Sequence, residues 1–248
     1  MNPHLDSAIR AARAAGKLLR AEFGSDLEVN VAEAHDVKLE LDVRTQRLIE
    51  GVLLADFPGH SILGEEGNSA GPVTAQQWIL DPIDGTVNYF YGIPHFCTSI
   101  AFRQEGVIEV GVILDPMRDE LWCVERGGTP MLNGRPIRAS TRDKLSDCIL
   151  TVGFAKTADT IKGGLPLLEK MAHRARKCRM MGSAALDLAY VATGRLDAYI
   201  EQGVSLWDIA AGQLLVEAAG GRIEVRESPG MPGKLAVTAW NGAVDLAI

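Results

Sequence analysis

The feature that most constrains the fold is a short apolar run that leads directly into turn-forming and acidic residues. Residues 78–80 (Trp-Ile-Leu) have the composition of a buried strand, and residues 81–86 read Asp-Pro-Ile-Asp-Gly-Thr. Asp81 and Asp84 are therefore predicted to lie together where the strand ends, which is where open α/β sheets place ligands. Carboxylate and carbonyl oxygens are the ligands that Mg²⁺ prefers. Asp-Pro and Asp-Gly also favour ordinary turns, so a plain turn is the alternative interpretation.

Helix and strand patterns alternate along the whole chain. Asn2 can cap a helix that has Pro3 at its first position, and a second helix is predicted from about residue 43 to residue 56. Strands are predicted at residues 61–63 and within 96–124, and Asn133-Gly134 is a hairpin turn signal. Beyond that turn, helices near residues 160–174, 183–194 and 207–219 alternate with strands near 179–181 and 197–200. This pattern predicts an α/β fold with helices and mixed sheets in layers.

The length and composition limit the possible functions. With 248 residues, a single unit made of two abutting halves, 1–140 and 141–248, is the expected organisation. The net charge of −7 argues against general affinity for nucleic acid, because phosphate backbones select positive surfaces. No apolar run reaches the roughly 20 residues that span a bilayer, and the N-terminus lacks a signal-peptide profile. A cytoplasmic protein is therefore expected. The four cysteines and five histidines lack the paired spacing of a zinc site, and the cysteines are expected to be reduced.

Three weaker segments also carry polar groups at predicted element ends. Residues 64–67 (Gly-Glu-Glu-Gly) follow a predicted strand, Trp207-Asp208 lies at a helix start, and residues 182–185 (Gly-Ser-Ala-Ala) could open another helix. Free N–H groups at helix starts attract phosphate, as would those that follow Thr86. Each segment has a simpler interpretation, a solvated acidic loop for residues 64–67 and ordinary helix capping for the other two.

The order and spacing of these segments resemble those of the inositol monophosphatase family. The family pattern is Gly-Glu-Glu, then Trp-Ile-Leu/Val-Asp-Pro-Ile/Leu-Asp-Gly-Thr-x-Asn-Phe, and much later Trp-Asp followed by an Ala-Gly helix. This chain has the corresponding residues at 64–66, 78–88 and 207–212. It also has Gly-Ile-Pro at 92–94 and Glu-Ala-Ala-Gly-Gly at 217–221. The resemblance runs in order through nearly the whole chain.

The resemblance implies a layered α-β-α-β-α sandwich of the inositol monophosphatase and fructose bisphosphatase type, one such unit over residues 1–248, and a homodimer. It also implies two to three Mg²⁺ ions as the cofactor. Glu65, Asp81 and the carbonyl of Ile83 correspond to the ligands of the first ion. Asp81, Asp84 and Asp208 correspond to those of the second, while a third ion would depend on Glu65 and water. Lithium sensitivity is expected, because in the family lithium competes at the second site.

The resemblance further implies which residues handle water and substrate. Glu65 and Thr86 would position the attacking water, with Asp42 as the partner of Thr86. Glu201, at the end of a predicted strand, corresponds to a residue that accepts hydrogen bonds from substrate hydroxyls, and its charge is expected to disfavour a second phosphate. The residues that would bind the phosphate and substrate are Asp84, Gly85, Thr86, Gly182, Ser183, Ala184, Glu201 and Asp208.

One stretch departs from the family pattern. Many members carry Val-Thr-x-x-Asp before the second helix, with a lysine upstream in a mobile loop. Residues 36–42 of this chain read Asp-Val-Lys-Leu-Glu-Leu-Asp, so a leucine replaces the threonine and Lys38 is the nearby lysine. The assignment of Asp42 and the role of Lys38 both depend on how this stretch folds.

Together these inferences predict an enzyme, a Mg²⁺-dependent phosphomonoesterase for a small polar phosphate monoester, with inositol 1-phosphate as the leading substrate. Direct attack by a metal-activated water is expected, since no Cys, His or Ser triad offers a protein nucleophile. One alternative is a phosphatase of the same fold for fructose 1,6-bisphosphate, a 3'(2'),5'-bisphosphate nucleotide or histidinol phosphate. The other is a regulatory binding protein without activity, against which the complete set of acidic motif residues argues.

Overall fold

The computed structural model describes residues 2–25, 29–33, 36–67, 73–154 and 158–247. The α-helices of this part are α1 (Pro3–Glu22), α2 (Glu40–Asp56), α3 (Thr86–Phe90), α4 (Ala158–Arg174), α5 (Ala184–Ala192) and α6 (Leu206–Ala218). The strands are β1 (Val29–Glu33), β2 (Asp36–Leu39), β3 (Ser61–Gly64), β4 (Gln76–Asp84), β5 (Cys97–Gln104), β6 (Val107–Asp115), β7 (Glu120–Glu125), β8 (Met131–Leu132), β9 (Arg135–Pro136), β10 (Ile149–Val152), β11 (Lys177–Arg179), β12 (Ala198–Val204), β13 (Arg222–Glu227) and β14 (Leu235–Trp240). Within these ranges, no helix combines the length and the apolar character needed to cross a membrane.

The larger sheet has seven strands in the order β3-β4-β5-β6-β7-β8-β9, so each strand pairs with its neighbour in the chain. β3 and β4 run parallel, and the remaining neighbours are antiparallel. Asn133 and Gly134, with φ of 48° and 75°, form the predicted two-residue turn between β8 and β9. Antiparallel neighbours need only such short connections, which is why most of this sheet is built from one continuous stretch of chain.

The smaller sheet has five strands in the order β11-β10-β12-β14-β13. β10 runs parallel to β11 and to β12, whereas β14 runs antiparallel to β12 and to β13. Parallel neighbours require crossover connections, which α4 and α5 provide. This sheet therefore depends on pairings between segments that are far apart in the sequence.

The helices form three layers around the two sheets. α1 and α2 cover the outer face of the larger sheet, and α4 covers the outer face of the smaller one. α5 and α6 lie between the sheets, where Leu188 and Leu215 share a buried core with Ile79 of the larger sheet and Tyr199 of the smaller. The predicted α-β-α-β-α sandwich is confirmed. The division into halves at residue 140 stays a prediction.

Strand β4 differs from its prediction in where it ends. Trp78 and Leu80 face the outer core and Ile79 faces the middle layer, so both faces of the strand are covered, as its apolar run indicates. The strand does not end before Asp81, however, and continues to Asp84. The pairing with β5 is irregular between Asp81 and Asp84, which indicates a bulge. A bulge tolerates the missing N–H of Pro82. Both carboxylates lie in the cavity wall.

Other element boundaries also correct the sequence predictions. α2 begins at Glu40, so Asp42 lies in its first turn rather than ahead of it. The Asp42 side chain caps the helix by accepting a hydrogen bond from the Leu39 amide. β12 continues to Val204 along β14, so Glu201 lies within the strand rather than at its end. β11 ends at Arg179, before the two methionines that were included in its prediction. The sequence pattern does not predict β1, β2, β10, β13 or β14. β1, β2 and β10 are short, and β14 also pairs with β12, which is distant in the chain.

Candidate active site

One cavity of about 680 Å³ is lined by strands of both sheets and by the first turns of α3, α5 and α6. Helix starts present backbone N–H groups without intrahelical partners, and such groups favour anions. The acidic residues that line the cavity are Glu65, Asp81, Asp84, Asp187, Glu201 and Asp208. The cavity thus combines clustered carboxylates with donors that can bind an anionic substrate.

Asp81 is the most buried member of the acidic cluster. Its Oδ1 atom is buried without a hydrogen-bond partner. Burial raises the pKa of Asp81 well above its usual range, and the charges of Glu65, Asp84 and Asp208 raise it further. An ionised carboxylate at this position is therefore costly unless a positive charge joins it.

Asp84 is held by the start of α5. Its Oδ2 accepts hydrogen bonds from the Ser183 hydroxyl and from the Ala185 amide at 2.7 Å, and its Oδ1 lies 3.2 Å from the Ala184 amide. Burial raises the pKa of Asp84 to about 6, while the hydrogen bonds from Ser183, Ala185 and Ala184 oppose the rise. β4 and α5 are thereby joined through a single carboxylate, in a contact between residues about 100 positions apart in the chain.

Asp42 and Thr86 come together from α2 and α3. The Thr86 hydroxyl lies 2.9 Å from the carbonyl of Ile83 and 3.4 Å from Asp42 Oδ1. Asp42 Oδ2 accepts from the Leu39 amide at 2.9 Å, so a backbone N–H supplies the partner at the position where a threonine is usual. Burial raises the pKa of Asp42 to about 8, with the Leu39 hydrogen bond opposing it and the charge of Glu65 adding to it.

The loop that carries Glu65 is held by a side chain of α2. The Glu65 amide donates to the Leu80 carbonyl at 3.2 Å, which extends the pairing of β3 with β4 by one residue. Gln46 accepts from the Glu66 amide at 3.0 Å and donates to the Gly67 carbonyl at 2.8 Å. Because Gln46 clamps both sides of the turn, the position of Glu65 depends on α2 as well as on β3.

The oxygen atoms of this cluster are of the types that bind a hard divalent cation. Glu65, Asp81, Asp84 and Asp208 offer carboxylate oxygens and Ile83 offers a carbonyl, the ligand types that Mg²⁺ prefers. Their side chains do not yet form a coordination shell: across the described ranges, no three His, Cys, Asp or Glu side chains converge closely enough to hold a metal. A cation would have to draw these carboxylates together, and it would relieve the repulsion that raises the pKa of Asp81.

The part of the cavity called here the substrate end contains Glu201 and Asp187. Glu201 Oε2 accepts from the Tyr199 hydroxyl at 2.8 Å. A Cβ atom on Gly153 would lie 1.7 Å from the same oxygen, so glycine at this position makes room for the carboxylate. Asp187 Oδ1 is buried without a hydrogen-bond partner, and burial raises the pKa of Asp187 well above its usual range. The substrate end therefore pairs an acceptor carboxylate with a second, more deeply buried acidic side chain.

A family model described as the inositol monophosphatase family matches residues 1–244. The chain belongs to the inositol monophosphatase family. Relatives named Nus factor SuhB from Pseudomonas aeruginosa and Escherichia coli K12 are each 40% identical, over 231 and 225 residues. The alignments cover 90% and 89% of this chain and 85% and 84% of the relatives.

Solved members of the inositol monophosphatase family share the sandwich. An inositol monophosphatase from Anabaena (Nostoc) sp. PCC 7120 superposes with a TM-score of 0.83 at 36% identity, over 96% of this chain and 90% of that one. The extragenic suppressor protein suhB of Bartonella henselae superposes with a TM-score of 0.87 at 33% identity, over 95% and 93% of the two chains. The predicted family and fold are both confirmed.

Most of the predicted site residues of this inositol monophosphatase family member line the cavity described above. These are Glu65, Asp81, Ile83, Asp84, Gly85, Thr86, Gly182, Ser183, Ala184, Glu201 and Asp208. Asp42 stands behind Thr86 instead. The backbone of Lys38 belongs to β2, and its side chain lies outside the described part. The individual catalytic, metal and substrate roles stay predictions.

Sequence reasoning missed three residues of the site. The side-chain Nδ2 of Asn88 donates to the carbonyls of His95 at 2.8 Å and Met181 at 2.9 Å. These hydrogen bonds connect α3 to the turn before α5. Its place in the Trp-to-Asn motif could have marked it. Asp187 lies in the first turn of α5, where an acid has the ordinary explanation of a favourable dipole charge. Lys234 follows β13 in an ordinary loop sequence, and no local signal marks it.

Proposed function

We propose that this chain is a Mg²⁺-dependent phosphomonoesterase that hydrolyses a small polar phosphate monoester, with inositol 1-phosphate as the leading substrate. The observation that carries the proposal is the cavity that Glu65, Asp81, Asp84 and Asp208 share, where burial and then the charges of the other three acids raise the pKa of Asp81. Such a cluster is unfavourable by itself and favourable around divalent cations. Membership of the inositol monophosphatase family supports the same conclusion.

The proposed metal ligands divide between two positions. Glu65, Asp81 and the Ile83 carbonyl would hold one Mg²⁺, and Asp81, Asp84 and Asp208 would hold a second, with Glu65 and water available to a third. When bound, Mg²⁺ supplies an acidified water and neutralises charge on the ester. The Asp208 carboxylate is already fixed for such a role, because its Oδ2 accepts from the Ser205 amide at 2.7 Å at the start of α6.

Thr86 and Asp42 would orient the attacking water. The Thr86 hydroxyl has carbonyl and carboxylate acceptors on the protein side, the Ile83 oxygen at 2.9 Å and Asp42 Oδ1 at 3.4 Å. With its proton directed to one of these acceptors, the hydroxyl oxygen can accept a hydrogen bond from water and hold it in line with the phosphorus. Glu65, at the same cavity wall, is the second group proposed to position this water. No covalent enzyme intermediate is required.

The substrate would lie between the helix starts and Glu201. Backbone N–H groups at Gly85, Thr86 and Ser183 can donate to phosphate oxygens, whereas the Ala184 N–H already donates to Asp84. The Glu201 carboxylate can accept hydrogen bonds from hydroxyls of a polyol, and this supports a cyclitol or sugar phosphate over a simple alkyl phosphate. We also propose the homodimer that the family resemblance implies, which sedimentation would test directly.

A second candidate is a regulatory binding protein. It is favoured by the 40% identity to relatives that carry the name Nus factor SuhB. The two functions are compatible in one chain, but only the first requires the acidic cluster to be complete. The presence of all of these acids in one cavity therefore supports catalysis.

The experiment is an assay of purified protein on a panel of phosphate monoesters, with Mg²⁺ and with EDTA. The panel includes inositol 1-phosphate, glycerol 2-phosphate, fructose 1,6-bisphosphate, histidinol phosphate and a 3'-phosphorylated nucleotide. We expect Mg²⁺-dependent release of phosphate with inositol 1-phosphate as a preferred substrate, and inversion at a chirally labelled phosphorus. Absence of release on every ester would leave the binding-protein candidate, and retention at phosphorus would exclude direct transfer to water.

A further inference from the structure

Lys234 is the only lysine or arginine among the described residues that line the cavity. It closes the loop between β13 and β14, where its amide donates to the Met231 carbonyl at 3.0 Å and its carbonyl accepts from the Ser228 amide at 2.8 Å. This short loop is fixed to the sheet by the antiparallel pairing of β13 with β14. The backbone of Lys234 is therefore well anchored, and its side chain is directed by the fold.

The Lys234 side chain is held from two sides at the start of α6. Its Nζ lies 2.5 Å from the Ser205 hydroxyl and 5.7 Å from the centre of the Trp207 ring. A cation over an indole ring is stabilised by the ring quadrupole, and Lys234 is half-buried. Ser205 takes one of the three N–H donors of the ammonium group. The charge thus stands at a defined position in the cavity wall.

Lys234 is held at a different helix start from the N–H groups proposed to hold the scissile phosphate, on the side of Asp208, a proposed ligand of the second metal. Those groups lie at β4 and at the starts of α3 and α5, around Asp84 and Ser183. Lys234 lies with Ser205 and Trp207 at the start of α6, near the end of β12, the strand that carries Glu201. A substrate that spans the cavity would place its alcohol part, rather than its ester phosphate, on this side.

Resting on the proposed phosphatase activity, we propose that Lys234 binds a second anionic group, a carboxylate or a second phosphate, on the alcohol part of the substrate. The expectation that a second phosphate is disfavoured came from Glu201 alone. Lys234 supplies an opposite charge in the same cavity, and a lysine ammonium forms short charge-assisted hydrogen bonds with carboxylate and phosphate oxygens. The cavity would then accept a polyol at Glu201 and would favour an anionic substituent at Lys234.

The test compares two esters that differ in one group. In the carboxylate arm, glycerol 2-phosphate has a hydroxymethyl group where 2-phosphoglycerate has a carboxylate. In the phosphate arm, fructose 1-phosphate lacks the second phosphate that fructose 1,6-bisphosphate has. The specificity ratio, kcat/KM of the anionic ester over that of its partner, is measured for wild type, Lys234→Gln, Lys234→Arg and the exposed control Lys144→Gln. We expect Lys234→Gln to lower the ratio about tenfold in at least one arm, while Lys234→Arg and Lys144→Gln retain it.

A role of Lys234 in supporting Ser205 and Asp208 would look different. It would lower kcat/KM on both members of each pair equally and shift the Mg²⁺ dependence for glycerol 2-phosphate. That result, or a ratio that Lys234→Gln leaves unchanged in both arms, would overturn the inference. The arm that responds identifies the anion as a carboxylate or a phosphate.

Binding measured by calorimetry, with Ca²⁺ in place of Mg²⁺, separates this inference from the proposed function. We expect wild type to bind 2-phosphoglycerate more tightly than glycerol 2-phosphate, and Lys234→Gln to remove most of that difference. If the protein hydrolyses no ester but shows this binding difference, the phosphatase proposal fails and the role of Lys234 stands. If it hydrolyses glycerol 2-phosphate and neither the ratio nor the binding depends on Lys234, only the present inference fails.

Discussion

At the scale of single residues, the carboxylates of the cavity differ in what holds them. Asp84 accepts three hydrogen bonds from the start of α5, Asp42 caps α2, and Asp81 has one oxygen without any partner. Burial raises the pKa of all three, to about 6 for Asp84, to about 8 for Asp42, and well above its usual range for Asp81. Asp84 has the lower pKa of the first two because three donors oppose burial there and two do so at Asp42, and each donor stabilises the ionised form.

Substitution Asp84→Asn should nearly abolish turnover and leave the fold intact. Asparagine keeps the volume and can still accept from the Ala185 amide, but it removes a charged ligand from the second proposed metal position. Losing a directed electrostatic contact of this kind costs about 10²–10³ in rate. The measurements are kcat on glycerol 2-phosphate and the melting temperature. Asp119→Asn, whose side chain is 69% exposed, is the control and should match wild type. Turnover within a few-fold of wild type would contradict the assigned role.

Lithium should inhibit at concentrations well below those that disturb unrelated enzymes. The reason is the family resemblance, in which lithium competes at the site nearest the leaving group, and the corresponding acids Asp81, Asp84 and Asp208 all line the cavity. The measurement is a lithium titration of phosphate release at low Mg²⁺, with a matching sodium titration as the control for ionic strength. Equal responses to both ions would argue against this arrangement of ligands, although not against phosphatase activity.

Substitution Glu201→Gln should reduce activity on a cyclitol phosphate selectively. Glutamine still accepts from the Tyr199 hydroxyl, so the strand should be undisturbed, but the charge that strengthens hydrogen bonds from substrate hydroxyls is lost. Hydrogen bonds to charged groups contribute about 1.5–3 kcal/mol, which corresponds to about tenfold or more in kcat/KM. The assay compares inositol 1-phosphate with glycerol 2-phosphate, and the exposed Glu224→Gln serves as the control. An equal loss on both substrates would assign Glu201 a structural role.

At the scale of secondary-structure elements, the middle layer determines how close the two sheets can approach. Helix α6 lies against strand β6, and Gly111 of that strand faces the backbone of Ala211 directly. Gly212 lies equally close to Leu188 of α5. Because there is no Cβ at these positions, helix and strand backbones approach one another closely, and the first turn of α6 is brought to the cavity.

Substitution Gly111→Ala should destabilise the protein, whereas Gly51→Ala should stabilise it. A Cβ at Gly111 would lie 2.7 Å from the Ala211 carbonyl oxygen, and a helix backbone cannot move away easily. Overpacking of this kind costs about 1–3 kcal/mol. Gly51 is inside α2 with nothing within 4 Å of an added Cβ, so alanine should add about 0.5–1 kcal/mol. Urea unfolding at unchanged m-values measures both, and equal effects of the two substitutions would refute the packing argument.

At the scale of the whole molecule, the acidic cluster links global stability to pH and to metal. Unfolded aspartates titrate near pH 3.9, whereas folded Asp84 and Asp42 have pKa values raised to about 6 and about 8. Between the unfolded pKa and the folded pKa values, the folded protein binds more protons than the unfolded chain. Stability contributed by these groups is therefore present below about pH 4 and is lost as the pH rises through the folded pKa values.

Mg²⁺ should raise the melting temperature more at about pH 8 than at about pH 5.5. The ligands must be ionised to bind metal, so protons compete with Mg²⁺ at the lower pH. At the higher pH, binding to the folded state alone adds stability by mass action. The measurement is the melting temperature in EDTA and in saturating Mg²⁺ across this range, with Asp84→Asn as the variant that should lose part of the effect. A metal-induced shift that does not depend on pH would contradict the coupling.

Short stretches of chain specify several features of this fold, and these features can be predicted from the sequence. Asn2 and Pro3 begin α1, Asn133 and Gly134 form the hairpin turn, and the apolar run before Asp81 forms a buried strand. The alternation of elements was sufficient to predict layers, and the spaced acidic motifs were sufficient to predict one site. Capping, turn geometry and side-chain alternation act over a few residues, so they can be read without knowing the fold.

Which distant groups meet in the cavity depends on how the layers pack in three dimensions. The contact of Asp84 with the start of α5 joins residues about 100 positions apart, and Lys234 reaches Ser205 across 29 positions. β12 continues past Glu201 because β14 pairs with it, although the local sequence indicates an earlier end. Such contacts result from burying apolar faces between layers, and the free energy of that burial depends on the whole packing rather than on any local pattern.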